Sequence, residues 1–200
     1  MSRRPGSAAA DDAAVIESSW QEPERFAVLF DRHARHIYRY LARRAGRQVA
    51  DDLAAETFLA AFAKRDRYDL SHADARPWLY GIATNLVGQH RRDEARQYRI
   101  RQAAAADPEV PGHADRVAAD VTAQAMRALL AEALAALPAG DRDVLLLIAW
   151  EQLTYQEVSR ALAIPVGTVQ SRLHRARTKV RQVLAGTDAG AAYEEITTNE

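Results

Sequence analysis

The chain has 200 residues, enough for one domain or two small helical modules, and 48% of them are hydrophobic but only 7% aromatic. Ala and Leu dominate, as in packed helices rather than β-sandwiches, and the absence of cysteine excludes disulfides, thiolate metal sites and a cysteine nucleophile. The 27 basic and 27 acidic residues cancel, but the charged residues from 172 to 181 are all basic.

The N-terminal residues predict a disordered tail over 1–23. Basic residues there are followed by Asp11 and Asp12, with no apolar stretch that could form the core of a signal peptide. The best candidate for a membrane span, residues 144–150, is far shorter than the roughly 20 apolar residues required. We therefore expect a cytoplasmic chain without membrane insertion.

Three helices are predicted next. Apolar residues recur at intervals of three and four over 23–44, which is typical of an amphipathic helix. Asp51 and Asp52 stand where acidic residues stabilise a helix start through its dipole, which predicts a second helix over 51–64. A proline predicts the start of a third helix over 78–99.

The second half begins with a change of composition. Residues 102–120 are rich in Ala, Asp, Pro and Gly without apolar periodicity, which predicts a flexible linker. Helices are then predicted over 121–137, 141–150, 154–162 and 166–184, and Thr154 with Glu157 forms a capping box. Val144, Leu145 and Ile148 are predicted to point inward.

We therefore expect an all-α chain of two small helical modules joined by a flexible linker, the C-terminal one being a helix-turn-helix. The predicted limits are 1–23 for a disordered tail, 24–101 for the first module, 102–120 for the linker, 121–185 for the second module and 186–200 for another disordered tail.

Residues 153–177 predict this helix-turn-helix. A three-residue turn separates two helices whose apolar residues are spaced to share one core, namely Val158, Leu162, Ile164, Val169 and Leu173. The second helix is then free to enter a major groove, and its outward positions combine base-edge hydrogen-bonding groups with cations: Thr168, Gln170, Ser171, Arg172, His174 and Arg175. A solvated basic helix is the simpler alternative, but the turn spacing, capping box and one-sided charge disfavour it.

Residues 77–96 place aromatic rings and an amide ahead of a basic stretch. Aromatic surfaces beside cations are how proteins hold unpaired bases. By composition alone, however, Trp78 and Tyr80 are more often core residues than base platforms.

The acidic segment around Asp51, Asp52 and Glu56 also allows a metal site, as in helical enzymes that hold magnesium diphosphate. We disfavour this alternative because no second acidic cluster faces it and the helix dipole explains the two aspartates. His33 and His36 lie on an Arg-rich helix and are interpreted as surface residues. We expect no metal, no cofactor and no enzymatic activity.

Together these motifs resemble the bacterial sigma factors of the sigma-70 family, and among them the extracytoplasmic-function (ECF) type, which retains only the second and fourth conserved regions. The resemblance covers residues 24–185. It implies a factor that binds core RNA polymerase and directs promoter recognition and transcription initiation. The first module would be region 2 and the second module region 4.

The resemblance also implies roles for individual residues. The segment Asp-Asp-Leu-Ala-Ala-Glu-Thr-Phe is similar to the helix that docks on the clamp helices of the largest polymerase subunit, through Asp51, Asp52, Glu56, Thr57 and Phe58. The segment Trp-Leu-Tyr-Gly-Ile-Ala-Thr-Asn resembles the one that melts the minus-ten element, which gives DNA-binding roles to Trp78, Tyr80, Asn85, Gln89, His90, Arg91 and Arg92.

By the same resemblance, Asn85 is the amide of a flipped-base pocket, and residues 67–74 form the base-specificity loop. The helix-turn-helix would read the minus-thirty-five element and contact the flap of the second-largest subunit, while the linker would thread the RNA exit path. An anti-sigma factor, where one exists, would grip the same surfaces.

Two positions depart from the family pattern. Gln170 stands where many relatives have Arg or Lys, so an amide suited to adenine replaces a phosphate or guanine contact. Gly88 lies inside the helix that holds Asn85 and costs about 1 kcal/mol of local helix stability relative to Ala. The alternative function is a stand-alone helix-turn-helix regulator that binds duplex DNA directly, without polymerase.

Overall fold

The computed structural model describes residues 11–104 and 121–185, and over these residues every regular element is a helix. The all-α prediction is thereby confirmed. The elements are α1 Asp12–Ser18, a 3-10 turn Pro23–Phe26, α2 Ala27–Ala45, α3 Arg47–Ala63, a 3-10 turn Arg65–Arg67, α4 Arg76–Ala104, α5 Val121–Ala135, α6 Ala139–Ala149, α7 Tyr155–Leu162 and α8 Val166–Ala185.

The described residues belong to two compact units. The N-terminal unit contains the chain up to Ala95 together with residues 156–163, and the C-terminal unit contains the remainder. The predicted linker begins too early, because residues 102–104 still continue α4. The rest of the predicted linker and the C-terminal tail lie outside the described residues.

The helix α1 corrects the predicted disordered tail from Asp12 onward, while residues 1–10 lie outside the described residues. The carboxylate of Asp11 caps α1 by accepting a hydrogen bond from the backbone N–H of Ala14 at 2.8 Å. Val15 and Ile16 are buried, with Ile16 fully so. A helix of two turns depends on such tertiary contacts, because isolated short helices are unstable in water.

The helices α2 and α3 pack against each other and supply much of the N-terminal core. Gly46 separates them with φ +91°, a backbone conformation that favours glycine, and α3 begins at the next residue. Asp51 and Asp52 therefore lie beyond the first turn of α3, which contains no acidic residue. The predicted role of these two aspartates at a helix start is wrong.

In the C-terminal unit, α8 packs on both α5 and α6. Val144 is buried as predicted, but Leu145 and Ile148 are only half-buried, whereas Leu146 and Leu147 are buried. The predicted inward face of α6 was thus rotated, because a run of consecutive apolar residues does not define which side faces the core.

Candidate nucleic-acid interface

The predicted docking residues on α3 divide into an exposed and a buried group. Asp51, Asp52 and Glu56 are exposed, whereas Thr57 is fully buried and Phe58 is 6% exposed. The prediction that Thr57 and Phe58 belong to an exposed face is therefore wrong.

Contacts within the core explain the burial of both residues. The hydroxyl of Thr57 donates to the backbone carbonyl of Leu53 at 2.7 Å. The ring of Phe58 packs edge-on against the ring of Phe30, with centroids 5.0 Å apart.

The exposed face of α3 also carries an apolar residue that sequence reasoning did not assign to it. Leu59 is 68% exposed and follows Asp52 and Glu56 at the helical spacing i, i+4, i+7. On α2, Phe30 is 49% exposed although its ring contacts the core residue Phe58. We call the exposed residues Asp51, Asp52, Glu56 and Leu59 the α3 face.

The aromatic residues at the start of α4 have different environments. Tyr80 is 1% exposed and its ring packs edge-on against Tyr40, with centroids 5.3 Å apart. Its predicted contact with DNA is therefore wrong, since no base can reach the ring without unpacking the core. Trp78 is half-buried, with its ring 5.0 Å from that of Tyr68.

The predicted minus-ten residues further along α4 are more accessible. Asn85, Gln89 and Arg92 are exposed and share one helix face at the spacing i, i+4, i+7. His90 is half-buried, with its Nε2 3.4 Å from Oε1 of Glu94. Arg91 Nη2 donates a hydrogen bond to the backbone carbonyl of Arg44. Asn85, Gln89 and Arg92 are thus the most accessible polar groups of the predicted set.

A buried polar network lies beside Asn85. The hydroxyl groups of Tyr40 and Thr84 are 2.7 Å apart, and Arg44 Nη1 donates to the Tyr40 hydroxyl at 2.9 Å. All three residues are buried. The network ties α2 to α4 at the residue preceding Asn85. It was not predicted from the sequence, because Arg44 belongs to a basic run whose other residues are exposed.

The predicted base-specificity loop, residues 67–74, is held by its own hydrogen bonds. The hydroxyl of buried Tyr68 donates to the backbone carbonyl of His72 at 2.6 Å, and the Asp69 carboxylate accepts from the backbone N–H of Ser71 at 3.0 Å. Burial raises the pKa of the Tyr68 hydroxyl, as does the negative charge of nearby Asp12, so this group remains a donor.

The loop ends against a buried carboxylate that sequence reasoning missed. Asp12 is 6% exposed, and its oxygens lie 2.7 Å from Nε2 of His33, 2.9 Å from Nη1 of Arg32 and 3.0 Å from the backbone nitrogen of Ala75. Burial raises the pKa of this carboxyl, but its hydrogen bonds with His33, Ala75 and Arg32 lower it to about 2.

The prediction that His33 is a surface residue is therefore wrong, since this side chain is buried beside Asp12. A signal for this burial exists in the sequence. His33 lies four residues after Leu29 and four before Ile37, both of which are buried on the same face of α2.

The turn between α7 and α8 has the length that the helix-turn-helix prediction requires. Ala163 begins it with φ +51°, and the backbone N–H groups of Thr168 and Val169 both donate to the carbonyl of Pro165, at 2.9 and 3.1 Å. Of the predicted core residues, three are buried and two are half-buried. Val158, Val169 and Leu173 are the buried ones, and Leu162 and Ile164 are half-buried.

The predicted minus-thirty-five residues of α8 also divide by environment. Gln170, Ser171 and His174 are exposed, Thr168 is half-buried, and the Ser171 hydroxyl donates to the Thr168 carbonyl at 3.1 Å. Arg177 is exposed and follows His174 by three residues, so it extends this face although it was not among the predicted contacts.

The other two predicted residues, Arg172 and Arg175, face α6. Arg175 binds the buried carboxylate of Asp141 through two hydrogen bonds, from Nε at 3.0 Å and from Nη2 at 2.8 Å. A Cβ built on Gly140 would lie 2.6 Å from Arg172 Nη1, so this glycine leaves room for the guanidinium. Arg175 thus holds α8 against α6, and the Arg172 guanidinium lies beside the start of α6.

Among the described side chains, no three His, Asp or Glu residues are arranged so that they could hold a metal ion. None of the helices in the described part of the chain is both long and apolar enough to span a membrane.

Comparison with known families matches two stretches of the chain. The profile of Sigma-70 region 2 matches residues 29–97, and that of Sigma-70, region 4, matches residues 127–180. The first stretch contains the α3 face and the predicted minus-ten residues, and the second contains the helix-turn-helix.

Several curated relatives match over most of the chain. The ECF RNA polymerase sigma factor SigL of Mycobacterium tuberculosis is 31% identical over 185 residues, which cover 92% of this chain and 96% of SigL. SigW of Bacillus subtilis, another ECF sigma factor, is 30% identical over 176 residues, which cover 82% of this chain and 90% of SigW. SigE of Mycolicibacterium smegmatis is 34% identical over 89% of this chain, but the match spans only 65% of SigE.

Two solved structures share the fold. The sigma factor RpoE of Bartonella quintana, determined in complex with the anti-sigma factor NepR, has a TM-score of 0.58 at 21% identity, covering 80% of this chain and 96% of RpoE. CnrH, determined in complex with the cytosolic domain of CnrY, has a TM-score of 0.61 at 23% identity, covering 88% of this chain and 99% of CnrH.

Proposed function

The chain belongs to the ECF type of the sigma-70 family, and from this premise we propose that it binds core RNA polymerase and directs promoter recognition and transcription initiation. The observation that carries the proposal is the match of both conserved regions in one chain, each over helices that the structure describes. In this proposal the chain acts in the cytoplasm, where RNA polymerase works, and catalyses no step itself.

We propose that the α3 face docks on the clamp helices of the largest polymerase subunit. Its three carboxylates are exposed and lie beyond the first turn of α3, so stabilisation of the helix start does not explain them. Leu59 adds exposed apolar area beside them. An apolar centre with a charged border is a common arrangement in protein interfaces. Thr57 and Phe58 would support this face from the core rather than touch the partner.

We propose that α4 contacts the melted minus-ten element through Asn85, Gln89 and Arg92. Extruding a base costs a few kcal/mol, and a rigid surface of amides and cations can offset this cost by hydrogen bonding to the base edge and the backbone. The network of Tyr40, Thr84 and Arg44 supports the proposal because it fixes the helix beside Asn85.

We propose that α8 reads the minus-thirty-five element from the major groove, with Gln170, Ser171 and His174 nearest the bases. An amide at Gln170 suits adenine, since it can both donate to and accept from that base edge. Exposed Arg177, Lys179 and Arg181 would bind phosphates along the helix. Contact with the polymerase flap belongs to the same proposal.

An anti-sigma factor is a further proposed partner. The fold neighbour RpoE was determined in complex with the anti-sigma factor NepR. For this chain, such a protein would compete with polymerase for the α3 face, so the α3 variants below would weaken both interactions.

The stand-alone regulator is not favoured, because the region 2 match, residues 29–97, covers most of the N-terminal unit that a regulator would use for sensing or dimerisation. The two functions differ in what the chain requires. A regulator binds duplex DNA alone, whereas a sigma factor acts with core polymerase.

The docking proposal is tested by gel-filtration co-elution of the chain with bacterial core RNA polymerase. Wild type should co-elute, and Asp52→Arg should bind at least tenfold more weakly while retaining its thermal transition, because the side chain is exposed. A suitable control is Glu17→Arg, the same charge reversal at an exposed site on α1, which should bind like wild type. Equal binding by all three proteins would contradict the proposed docking face, and unfolding of Asp52→Arg would show that the side chain is structural.

A further inference from the structure

We infer that the short helix α1 positions the 67–74 loop for selection of a promoter base, with Asp12 as the positioning residue. The inference rests on the proposed role of this loop at the minus-ten element. It concerns a segment outside the matched family regions, the first of which begins at residue 29.

Asp12 anchors the C-terminal end of the loop. The carboxylate of Asp12 accepts from the backbone N–H of Ala75 at 3.0 Å, and the backbone N–H of Asp12 donates to the carbonyl of Ala73 at 3.0 Å. These two bonds fix the backbone on either side of Asp74. Ala75 is fully buried, so this end of the loop is anchored in the core.

The same carboxylate ties the loop to α2. Its oxygens lie 2.7 Å from His33 Nε2 and 2.9 Å from Arg32 Nη1. Asp12 and His33 are 6% and 8% exposed, so these bonds are protected from water. One side chain therefore joins three segments that are distant in sequence: α1, α2 and the end of the loop.

Trp20 and Ser19 hold the chain just before the other end of the loop. The indole nitrogen of Trp20 donates to the carbonyl of Arg65 at 3.2 Å, and Arg65 Nε donates to the carbonyl of Ser19 at 3.4 Å. The Arg65 guanidinium also lies over the Phe62 ring, 3.9 Å from its centroid. The segment from Asp12 to Trp20 thus holds the chain both where it leaves α3 and where it enters α4.

Between these anchors, the middle of the loop presents polar groups to solvent. Asp69, Ser71 and Asp74 are exposed, and the hydrogen bonds of Tyr68 to His72 and of Asp69 to Ser71 restrict the backbone that carries them. A loop that is ordered before binding loses less conformational entropy on contact with a base. Discrimination between bases should then depend on α1 through its hydrogen bonds to the two ends of the loop.

Asp12→Asn tests the hydrogen bonds of the carboxylate with little change in side-chain size. A carboxylate can accept hydrogen bonds at both oxygens, whereas an asparagine amide has one accepting oxygen and presents a donor in place of the other. Asp12→Asn keeps the shape of the side chain but places an N–H group against either Ala75 and His33 or Arg32. The variant should loosen the anchor while leaving the helices in place.

The experiment is run-off transcription with reconstituted holoenzyme on promoters that differ by single bases in the minus-ten element. We expect Asp12→Asn to reduce the ratio of transcription between the preferred and the substituted base about fivefold, the low end of what one mismatched base pair contributes. The control Ile37→Val alters a core residue of α2 that is 1% exposed. It should lower stability without changing this ratio.

A second variant covers the case in which Asp12→Asn does not fold. Trp20→Phe removes the indole N–H that donates to the Arg65 carbonyl and shortens a side chain that is 41% exposed, and it should reduce the same ratio about twofold. An unchanged ratio in folded Asp12→Asn or Trp20→Phe would overturn the positioning role of α1 but leave the proposed function intact. A wild-type holoenzyme that does not discriminate between the promoters would overturn the proposed function as well.

Discussion

The two units each place a buried aspartate in the first turn of a helix, Asp12 in α1 and Asp141 in α6, which are 6% and 5% exposed. Each holds an element with a proposed role in DNA binding. Asp12 holds the 67–74 loop through a backbone N–H, and Asp141 holds α8 through the side chain of Arg175.

The partners of the two aspartates differ in a way that bears on function. Asp12 is surrounded by three hydrogen-bonding groups, and both it and His33 are shielded from solvent. Asp141 binds one arginine whose side chain is 57% exposed. The loop anchor is therefore shielded from water, whereas the arginine of the α8 anchor is open to solvent, which is compatible with its proposed contact with a phosphate.

The largest expected effect is the loss of the loop anchor itself. Asp12→Ala leaves His33, Arg32 and the Ala75 N–H without the carboxylate, and we expect it to lower the free energy of unfolding by about 3 kcal/mol, as when one member of a buried pair is removed. Urea unfolding followed by circular dichroism measures this. A loss as small as that of Asp11→Ala, which removes only the N-cap of α1, would mean that Asp12 is no anchor.

The second prediction concerns pH. The carboxyl of Asp12 titrates at about 2 in the folded chain but near 3.8 when unfolded, so between these values only the unfolded chain takes up the proton. Its contribution is present above about pH 4 and lost as the pH falls toward 2, and the shift corresponds to about 2 kcal/mol.

Urea unfolding of wild type and Asp12→Asn at several pH values between 5 and 2 measures the contribution of the Asp12 carboxylate to the free energy of unfolding. The stability advantage of wild type should shrink as the pH falls, because the variant has no carboxyl at this position. The same difference at every pH would contradict a lowered pKa at Asp12.

The 67–74 loop is also restricted by a hydrogen bond between two of its own residues. Tyr68→Phe removes the hydroxyl that donates to the His72 carbonyl but keeps the ring packed on Trp78. We expect a loss of about 1 kcal/mol in the free energy of unfolding, the usual value for one hydrogen bond. Unchanged stability together with unchanged hydrogen exchange at His72 and Ala73 would show that the loop depends on α1 alone.

The smallest stability effect is expected at the exposed anchor of α8. Arg175→Gln should lower the melting temperature slightly more than Arg177→Gln, since both side chains are exposed but Arg175 also binds Asp141. In holoenzyme binding to promoter DNA, each variant should reduce the slope of log affinity against log salt by about 0.9. A reduced slope for Arg177→Gln only would mean that Arg175 stays with Asp141.

The sequence predicts long, periodic elements well. The helix-turn-helix was recognisable because turn length, apolar spacing and charge all agree over 25 residues, and α7 and α8 begin where the motif places them. The three main helices of the N-terminal unit follow from apolar stripes that repeat over several turns. Only their ends differ from the prediction, as at α3, which begins before Asp51.

The anchors were not predictable, for two physical reasons. The helix α1 has seven residues, too few for an apolar period to emerge, and its stability comes from contacts with distant segments. The environments of Thr57, Phe58 and Tyr80 depend on which helix packs against each face, and this information is not local. His33 was misassigned because charged neighbours on α2 outweighed its place on the buried stripe.

Run-off transcription by core RNA polymerase, with and without the purified chain, on a library of promoter fragments decides whether the chain directs initiation. We expect transcripts that depend on the chain and start downstream of a shared pair of sequence elements. Transcription that is unaffected by the chain, together with tight sequence-specific binding of duplex DNA by the chain alone, would contradict it.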